Sequence, residues 1–159
     1  MKTAIFASPL GKIELKGDEN GLAAVLFKDE DFIETEDNAI PSELEQAMFQ
    51  LEQYFEGKIT QFDLKLNPKG TVFQQKVWQQ LAKIPFGKTR SYMDIARQLG
   101  DAKVIRAAAS ANGKNPICII IPCHRVIGSD HSLTGYAGGI WRKKWLLEHE
   151  SPVRQTSLF

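Results

Sequence analysis

Cysteine is scarce in this chain. There are two, Cys118 and Cys123, among 159 residues, too few for a disulfide scaffold or a cysteine-rich zinc site. Residues 1–66 contain neither cysteine nor histidine. Long hydrophobic runs are also missing: none approaches the ~18 residues that a bilayer span requires. The opening Met1-Lys2-Thr3-Ala4-Ile5-Phe6 carries no long apolar signal segment before its first turn. A cytoplasmic protein without a membrane partner is therefore expected. Apolar residues at 43% and charged residues at 25% exclude wholesale disorder. The length allows one domain or two small ones, with about 70% of the unfolded surface buried.

A net charge of +1 excludes a strongly basic surface, but its distribution is uneven. Residues 1–85 carry 9 Lys and Arg against 14 Asp and Glu, a balance of −5; residues 86–159 carry 11 against 5, a balance of +6. The second half is thus suited to an anion, with nucleic acid the leading candidate; two differently charged solvated faces would give the same count.

Residues 3–7, 12–16 and 22–27 alternate as short strands joined by turns, which predicts an antiparallel meander. Residues 29–37, with six acids in nine, read as a solvated loop. Ser42 and Glu45 have capping-box spacing ahead of a helix whose stripe is Leu44, Met48, Leu51 and Phe55, with Gly57 to end it. Phe62, Leu64 and Leu66 alternate as a final strand. Asn67-Pro68-Lys69-Gly70 is turn material and a boundary. Beyond it, Thr71 and Gln74 form a second capping box, before a stripe of Phe73, Val77, Trp78, Leu81 and Ile84 that Pro85-Phe86-Gly87 stops. Ser91 and Asp94 start a short helix ending at Gly100, and Asp101 caps another ending near Asn112-Gly113. Two capped helices around one glycine read as a helix-turn-helix. The small side chains of Arg106-Ala107-Ala108-Ala109-Ser110-Ala111 permit close approach, either to another helix in the core or to a DNA groove.

The apolar, β-branched run Ile117-Cys118-Ile119-Ile120-Ile121 predicts a buried strand. Pro122 would break it and hold Cys123 at the end of a rigid element. His124 and Arg125 offer the base or positive charge that turns a thiol into a nucleophilic thiolate, although a buried cysteine beside a histidine is also a common structural pairing. On one continuous strand Cys118 and Cys123 would point to opposite faces, so Cys118 is expected in the core, with no disulfide and no shared metal site. A cysteine hydrolase would need a base facing the nucleophile and an oxyanion hole, for which the sequence offers no independent support.

Asn115-Pro116 followed by Ile121-Pro122-Cys123-His124-Arg125-Val126 strongly resembles the O6-alkylguanine-DNA alkyltransferases. The resemblance extends through Gly70-Thr71, Phe73-Gln74, Val77-Trp78, Ile84-Pro85, Ser91-Tyr92, Arg106-Ala107, Gly135-Tyr136, Gly138-Gly139 and Trp145-Leu146-Leu147 to His149-Glu150, roughly half of the chain. It implies direct-reversal repair: an alkyl group leaves O6 of guanine in duplex DNA for Cys123, once per molecule and with no cofactor. By the same resemblance His124 takes the thiol proton through a water, Glu150 orients His124, and Asn115 braces the active-site turn. Tyr92 rotates the target phosphate and contacts the flipped base, while Arg106 fills the vacated stack. Ala107, Ala108 and Ala111 face the minor groove. Tyr136 and Ala137 belong to the loop that closes over the base, Ala137 through its backbone amide, and Arg125 and Val126 are placed among the substrate contacts. His149 is expected to be structural. Some relatives carry an amino-terminal zinc held by cysteines and a histidine; residues 1–66 have neither, so no metal is expected.

The expected fold class is α+β: a small ribonuclease-H-like α/β domain with an antiparallel sheet over residues 1–66, a linker at 67–70, a helical, winged-helix-like domain with the helix-turn-helix over 71–150, and a tail at 151–159. A monomer binding double-stranded DNA that contains O6-alkylguanine is expected. The range of alkyl groups, the preference between guanine and thymine O4 lesions, and cooperativity on DNA stay open.

Overall fold

The computed structural model describes residues 1–29 and 31–152, and the chain divides into two compact units, Met1–Lys69 and Gly70–Phe159. The first is built on the antiparallel meander β1 (Lys2–Ser8), β2 (Gly11–Asp18) and β3 (Gly21–Lys28), with β2 central. Strand alternation sends Ala4 and Phe6 of β1 and Ile13 and Leu15 of β2 to one buried face. Helix α1 (Ser42–Phe55) covers that face with Leu44, Ala47, Met48, Leu51 and Tyr54. Tyr54, rather than the half-buried Phe55, completes the stripe.

Two expectations fail in this unit. Pro41, at φ −59° and ψ 138°, takes the N-cap of α1, so Ser42 is already helical and its hydroxyl donates to Glu43 Oε1 at 2.9 Å instead of capping. Phe62, Leu64 and Leu66 do alternate in burial, but they form no strand. Their segment makes only an isolated parallel bridge, Leu22 to Leu66. The Gln50 side chain satisfies the backbone earlier, accepting from Asp63 N at 2.9 Å and donating to Asp63 O at 3.1 Å, so no ladder is needed there.

The second unit begins with α2 (Val72–Leu81). Its capping box is complete: Thr71 Oγ1 accepts from Gln74 N at 3.1 Å, and Gln74 Oε1 accepts from Thr71 N at 2.9 Å. Thr71→Ala removes one half of the box and is expected to lower stability by about 1 kcal/mol, measurable as a shift of the urea midpoint without a change in slope.

Strand β4 (Arg90–Ser91) leads into α3 (Tyr92–Gln98), again through a full capping box, Ser91 with Asp94. Gly100 at φ +98° makes the turn, a conformation that glycine takes at little cost. Asp101 Oδ1 then caps a 3-10 turn, Ala102–Val104, by accepting from Lys103 N. That turn runs directly into α4 (Ile105–Gly113). Trp78 pins α4 to α2, its indole N–H donating to Ala111 O at 2.9 Å. Strand β5 (Val126–Ile127) pairs in parallel with β4, and α5 (Ile140–Glu150) follows. Among the described residues no helix is long and apolar enough to cross a membrane.

The expected strand at residues 117–121 is absent. The segment is buried, but it is a turn: Ile120 N donates to Cys118 O and Ile121 N to Ile117 O, with Ile119 at φ +74°. A β-branched residue in the left-handed region is strained by roughly 1–3 kcal/mol. Apolar content had predicted burial correctly and extension wrongly, since periodicity does not separate the two in so short a run.

Candidate active site

The strained turn is held by Asn115. Its amide nitrogen donates to Ile121 O at 2.7 Å and Ile117 O at 3.3 Å, and its oxygen accepts from Ile117 N at 3.0 Å. Pro122 then leads into a 3-10 turn, Cys123–Arg125. The result places Cys123, 4% exposed, on the wall of a cavity of about 640 Å³. Tyr92 of α3 and Arg106 of α4 line the same cavity, as do Asn115, Tyr136 and Ala137.

His124 is fully buried and is not among the residues that line the cavity. Its Nε2 lies 2.8 Å from Glu150 Oε2. A carboxylate only accepts, so Nε2 carries the hydrogen and Nδ1 keeps its lone pair. Nδ1 makes no hydrogen bond to the protein. Burial is the main reason that the imidazole pKa lies below its ordinary value, which outweighs the Glu150 carboxylate acting in the opposite sense. The ring is thus kept neutral and able to take a proton.

Glu150 is itself only 2% exposed. Arg125 grips it bidentately, Nε to Oε1 at 2.7 Å and Nη2 to Oε2 at 3.0 Å, and donates through Nη1 to Ile84 O. Burial alone would push this carboxyl up; His124 and Arg125 together hold it well below the usual carboxylate range.

Helix α5 explains how these groups meet. Its buried positions Lys143, Leu146, Leu147 and Glu150 fall on one face. Gly139 at φ +91° turns the chain into the helix. Glu150 reaches His124 at one end. At the other, Lys143 Nζ donates to Thr134 O at 2.8 Å and Gly135 O at 3.4 Å, and Arg142 donates to Gly138 O at 3.0 Å. Two cations therefore tie the 134–138 loop to α5. Burial lowers the Lys143 pKa to about 8, with Cys123 opposing that shift.

The comparisons with known proteins agree across both units. The family model described as 6-O-methylguanine DNA methyltransferase, ribonuclease-like domain, matches residues 1–68, and that of the same enzyme's DNA binding domain matches residues 72–152. The chain belongs to the 6-O-methylguanine DNA methyltransferase family. A methylated-DNA–protein-cysteine methyltransferase of Methanosarcina acetivorans is 50% identical over 153 residues, covering 94% of this chain and 98% of that one. One from Mycobacterium tuberculosis is 46% identical over 145 residues, covering 90% and 88%. The crystal structure of M. tuberculosis OGT in complex with DNA superposes with a TM-score of 0.82 at 44% identity, covering 93% of this chain and 92% of that one. The α+β class read from the sequence holds.

In this methyltransferase-family chain the structure brings Cys123, His124, Glu150 and Asn115 into one cluster, and Tyr92, Arg106, Tyr136 and Ala137 onto one cavity. Other sequence readings need correction. Ala108 and Ala111 are buried in the helical core, at 1% and 3% exposure, and Ala111 O is occupied by Trp78. The exposed positions of α4 are instead Arg106, Ala107 and Ser110, with Ala107 at the border between that face and the buried one that holds Ala108 and Ala111. Arg125 and Val126 are both buried and lie off the cavity lining, Arg125 committed to Glu150 and Val126 paired with Arg90 in the β4–β5 bridge. His149 stacks on Trp145 with centroids 4.8 Å apart. Among the described residues no group of three or more His, Cys, Asp or Glu could hold a metal ion.

Sequence reasoning missed Lys143, one basic residue in the run Arg142-Lys143-Lys144 with nothing local to distinguish it. It also missed Cys118. The turn at 117–121 brings the two thiols together, so they do not point apart as a continuous strand would require. Cys118 is the largest influence holding the Cys123 pKa below its ordinary value; burial opposes it, and Asn115 and Lys143 assist. Cys118 is correspondingly pushed well up by Cys123 and by burial.

Proposed function

We propose that this chain repairs DNA by direct reversal, moving one alkyl group from O6 of guanine in duplex DNA onto the sulphur of its own Cys123, once per molecule. The single observation that carries this is the buried Cys123 on a cavity large enough to admit a nucleotide, beside a His124 whose tautomer Glu150 fixes. O6 faces the inside of a base pair, so the nucleotide must leave the stack to reach that cavity, at a cost of a few kcal/mol. Arg106, exposed on α4 at the cavity edge, suits the vacated stack. Tyr92 suits the phosphate and the flipped base, and the N–H of Ala137 suits O6. Minor-groove binding reads little sequence, which fits a repair protein that acts anywhere.

The chemistry then follows from the site. The Cys123 proton passes through one bridging water to His124 Nδ1. The thiolate attacks the alkyl carbon, and the S–C bond forms as the C–O6 bond breaks. The departing guanine needs one proton on its ring, and the thiol has released one, so charge balances. Glu150 stabilises the transient imidazolium. A thioether is a poor leaving group, so the molecule ends there.

The test is intact mass and peptide mapping after mixing the reduced protein with a duplex oligonucleotide bearing one O6-methylguanine. One added methylene on the Cys123 peptide, and no more than one per protein, is the expected result. Tight binding with no mass change would replace this proposal with damage recognition without repair.

A further inference from the structure

The wall of the cavity carries a polar group that the chemistry above does not use. Asn112, near the end of α4, lines the cavity with Cys123 and is 6% exposed. Its Nδ2 donates to Cys123 O at 3.5 Å, the long limit of a hydrogen bond. A carbonyl oxygen only accepts, which fixes the nitrogen toward Cys123 and the oxygen away from it. That oxygen, Oδ1, is buried and has no hydrogen-bond partner among the described residues. Asn115, the other carboxamide on the lining, already commits its oxygen to Ile117 N at 3.0 Å. A buried acceptor left without a donor is a liability, and an aliphatic side chain would fill this wall without it. Turning the Asn112 amide to present Oδ1 to the cavity breaks no strong bond.

We propose that Asn112 is a specificity-determining residue of the transfer: its Oδ1 accepts a hydrogen bond from the exocyclic N2 amine of the flipped O6-alkylguanine. This rests on the reading that a flipped guanine enters the cavity and that Cys123 takes its alkyl group. The chemistry of the lesion selects the donor. An alkyl group on O6 removes the hydrogen from N1, so N1, N3, N7 and O6 all present lone pairs. The N2 amine is then the only N–H donor on the base. O4-alkylthymine has no N–H at all, and against it the amide oxygen stays unpaired. A site built to bond one donor rejects an analogue that lacks it, because its own buried group is then left without a partner. Asn112 thus biases the cavity toward guanine lesions and against thymine ones.

Two duplexes that differ only in that amine test the contact. One bears O6-methylguanine, the other O6-methylhypoxanthine, the same base without N2. Single-turnover transfer is measured on each with the wild type and with Asn112→Leu, which keeps the volume and removes the acceptor. The wild type is expected to prefer the amine-bearing base about tenfold more strongly than N112L does. The amine also changes how firmly the base pairs, but that flipping cost is the same for both proteins and cancels in the ratio of ratios. Lost packing, or loss of the Cys123 O contact, slows both duplexes alike and leaves the ratio unmoved. The preference over an O4-methylthymine duplex should narrow in the variant as well. Should N112L fail to fold, Asn112→Ala takes its place. An equal preference for the amine in wild type and variant would overturn the proposal, whatever the absolute rates. A methyl group mapped to a residue other than Cys123 would overturn the acceptor reading instead. The affinities of the two duplexes for C123A, with and without N112L, would still decide the amide contact.

Discussion

Replacing Glu150 with alanine is expected to cost about 3–5 kcal/mol of folding stability. The reason is what remains behind. The Arg125 guanidinium, 7% exposed, would keep its bond to Ile84 O and its place over the Phe86 ring but no counter-charge, and His124, fully buried, would lose the acceptor of its Nε2 hydrogen. An uncompensated buried charge is far worse than an absent pair. Glu150→Gln keeps the volume and one acceptor and should cost less, yet it still deprives the imidazolium of its counter-charge, so transfer slows in both variants. Urea unfolding and single-turnover rates measure the two effects separately.

The sign of the pH dependence follows. The folded carboxyl resists protonation that the unfolded chain accepts near pH ~4.3. The stability it contributes is therefore present above that range and drains away as pH falls through it. His124, kept neutral by burial, adds a loss of the same sign that begins nearer pH ~6.5. Wild-type stability should fall on acidification from neutral, and E150Q should lose the lower part of that slope. A wild-type stability flat between about pH 7 and 4 would contradict the assigned protonation states.

Cys123→Ala is expected to abolish transfer completely while leaving binding to O6-methylguanine duplex nearly intact. The nucleophile has no substitute: Cys118 holds its proton, and no other cysteine is present in the chain. The side chains proposed to meet DNA, Arg106 and Ala107, are exposed on α4 and do not depend on the sulphur. Removing one buried sulphur should cost stability on the order of 1 kcal/mol. Gel-shift titration and intact mass on the same preparation read both halves, and any methyl transfer to the variant would move the acceptor elsewhere.

The parts of the site legible in the sequence are those written in local chemistry. Thr71 with Gln74 and Ser91 with Asp94 announce helix starts because a cap is satisfied within four residues of itself. Ser42 with Glu45 carries the same signal and fails, because the adjacent Pro41 already occupies the cap. Cys123 and His124 were visible as neighbours, with Asn115 and Glu150 named by family likeness. What stayed hidden depends on the path of the backbone. Residues 117–121 are as apolar as a strand, but Asn115 bends them into a turn, and only that bend joins the two thiols. Lys143 is one basic residue among three until α5 rotates it inward. The alanines of α4 are alike in sequence; the packing of Trp78 decides which of them face the core.

The Glu150–His124 contact also orders events during synthesis. The carboxylate that fixes the imidazole is made 26 residues after it. While the chain is being extended past Cys123, the thiol therefore has a histidine of undefined tautomer beside it, and Arg125 has no anion to grip. Competence arrives late and all at once, when α5 docks. A chain cut short between those points would hold the nucleophile without the carboxylate that orients His124 and without the α5 cations that tie down the 134–138 loop, so an incomplete copy should transfer slowly.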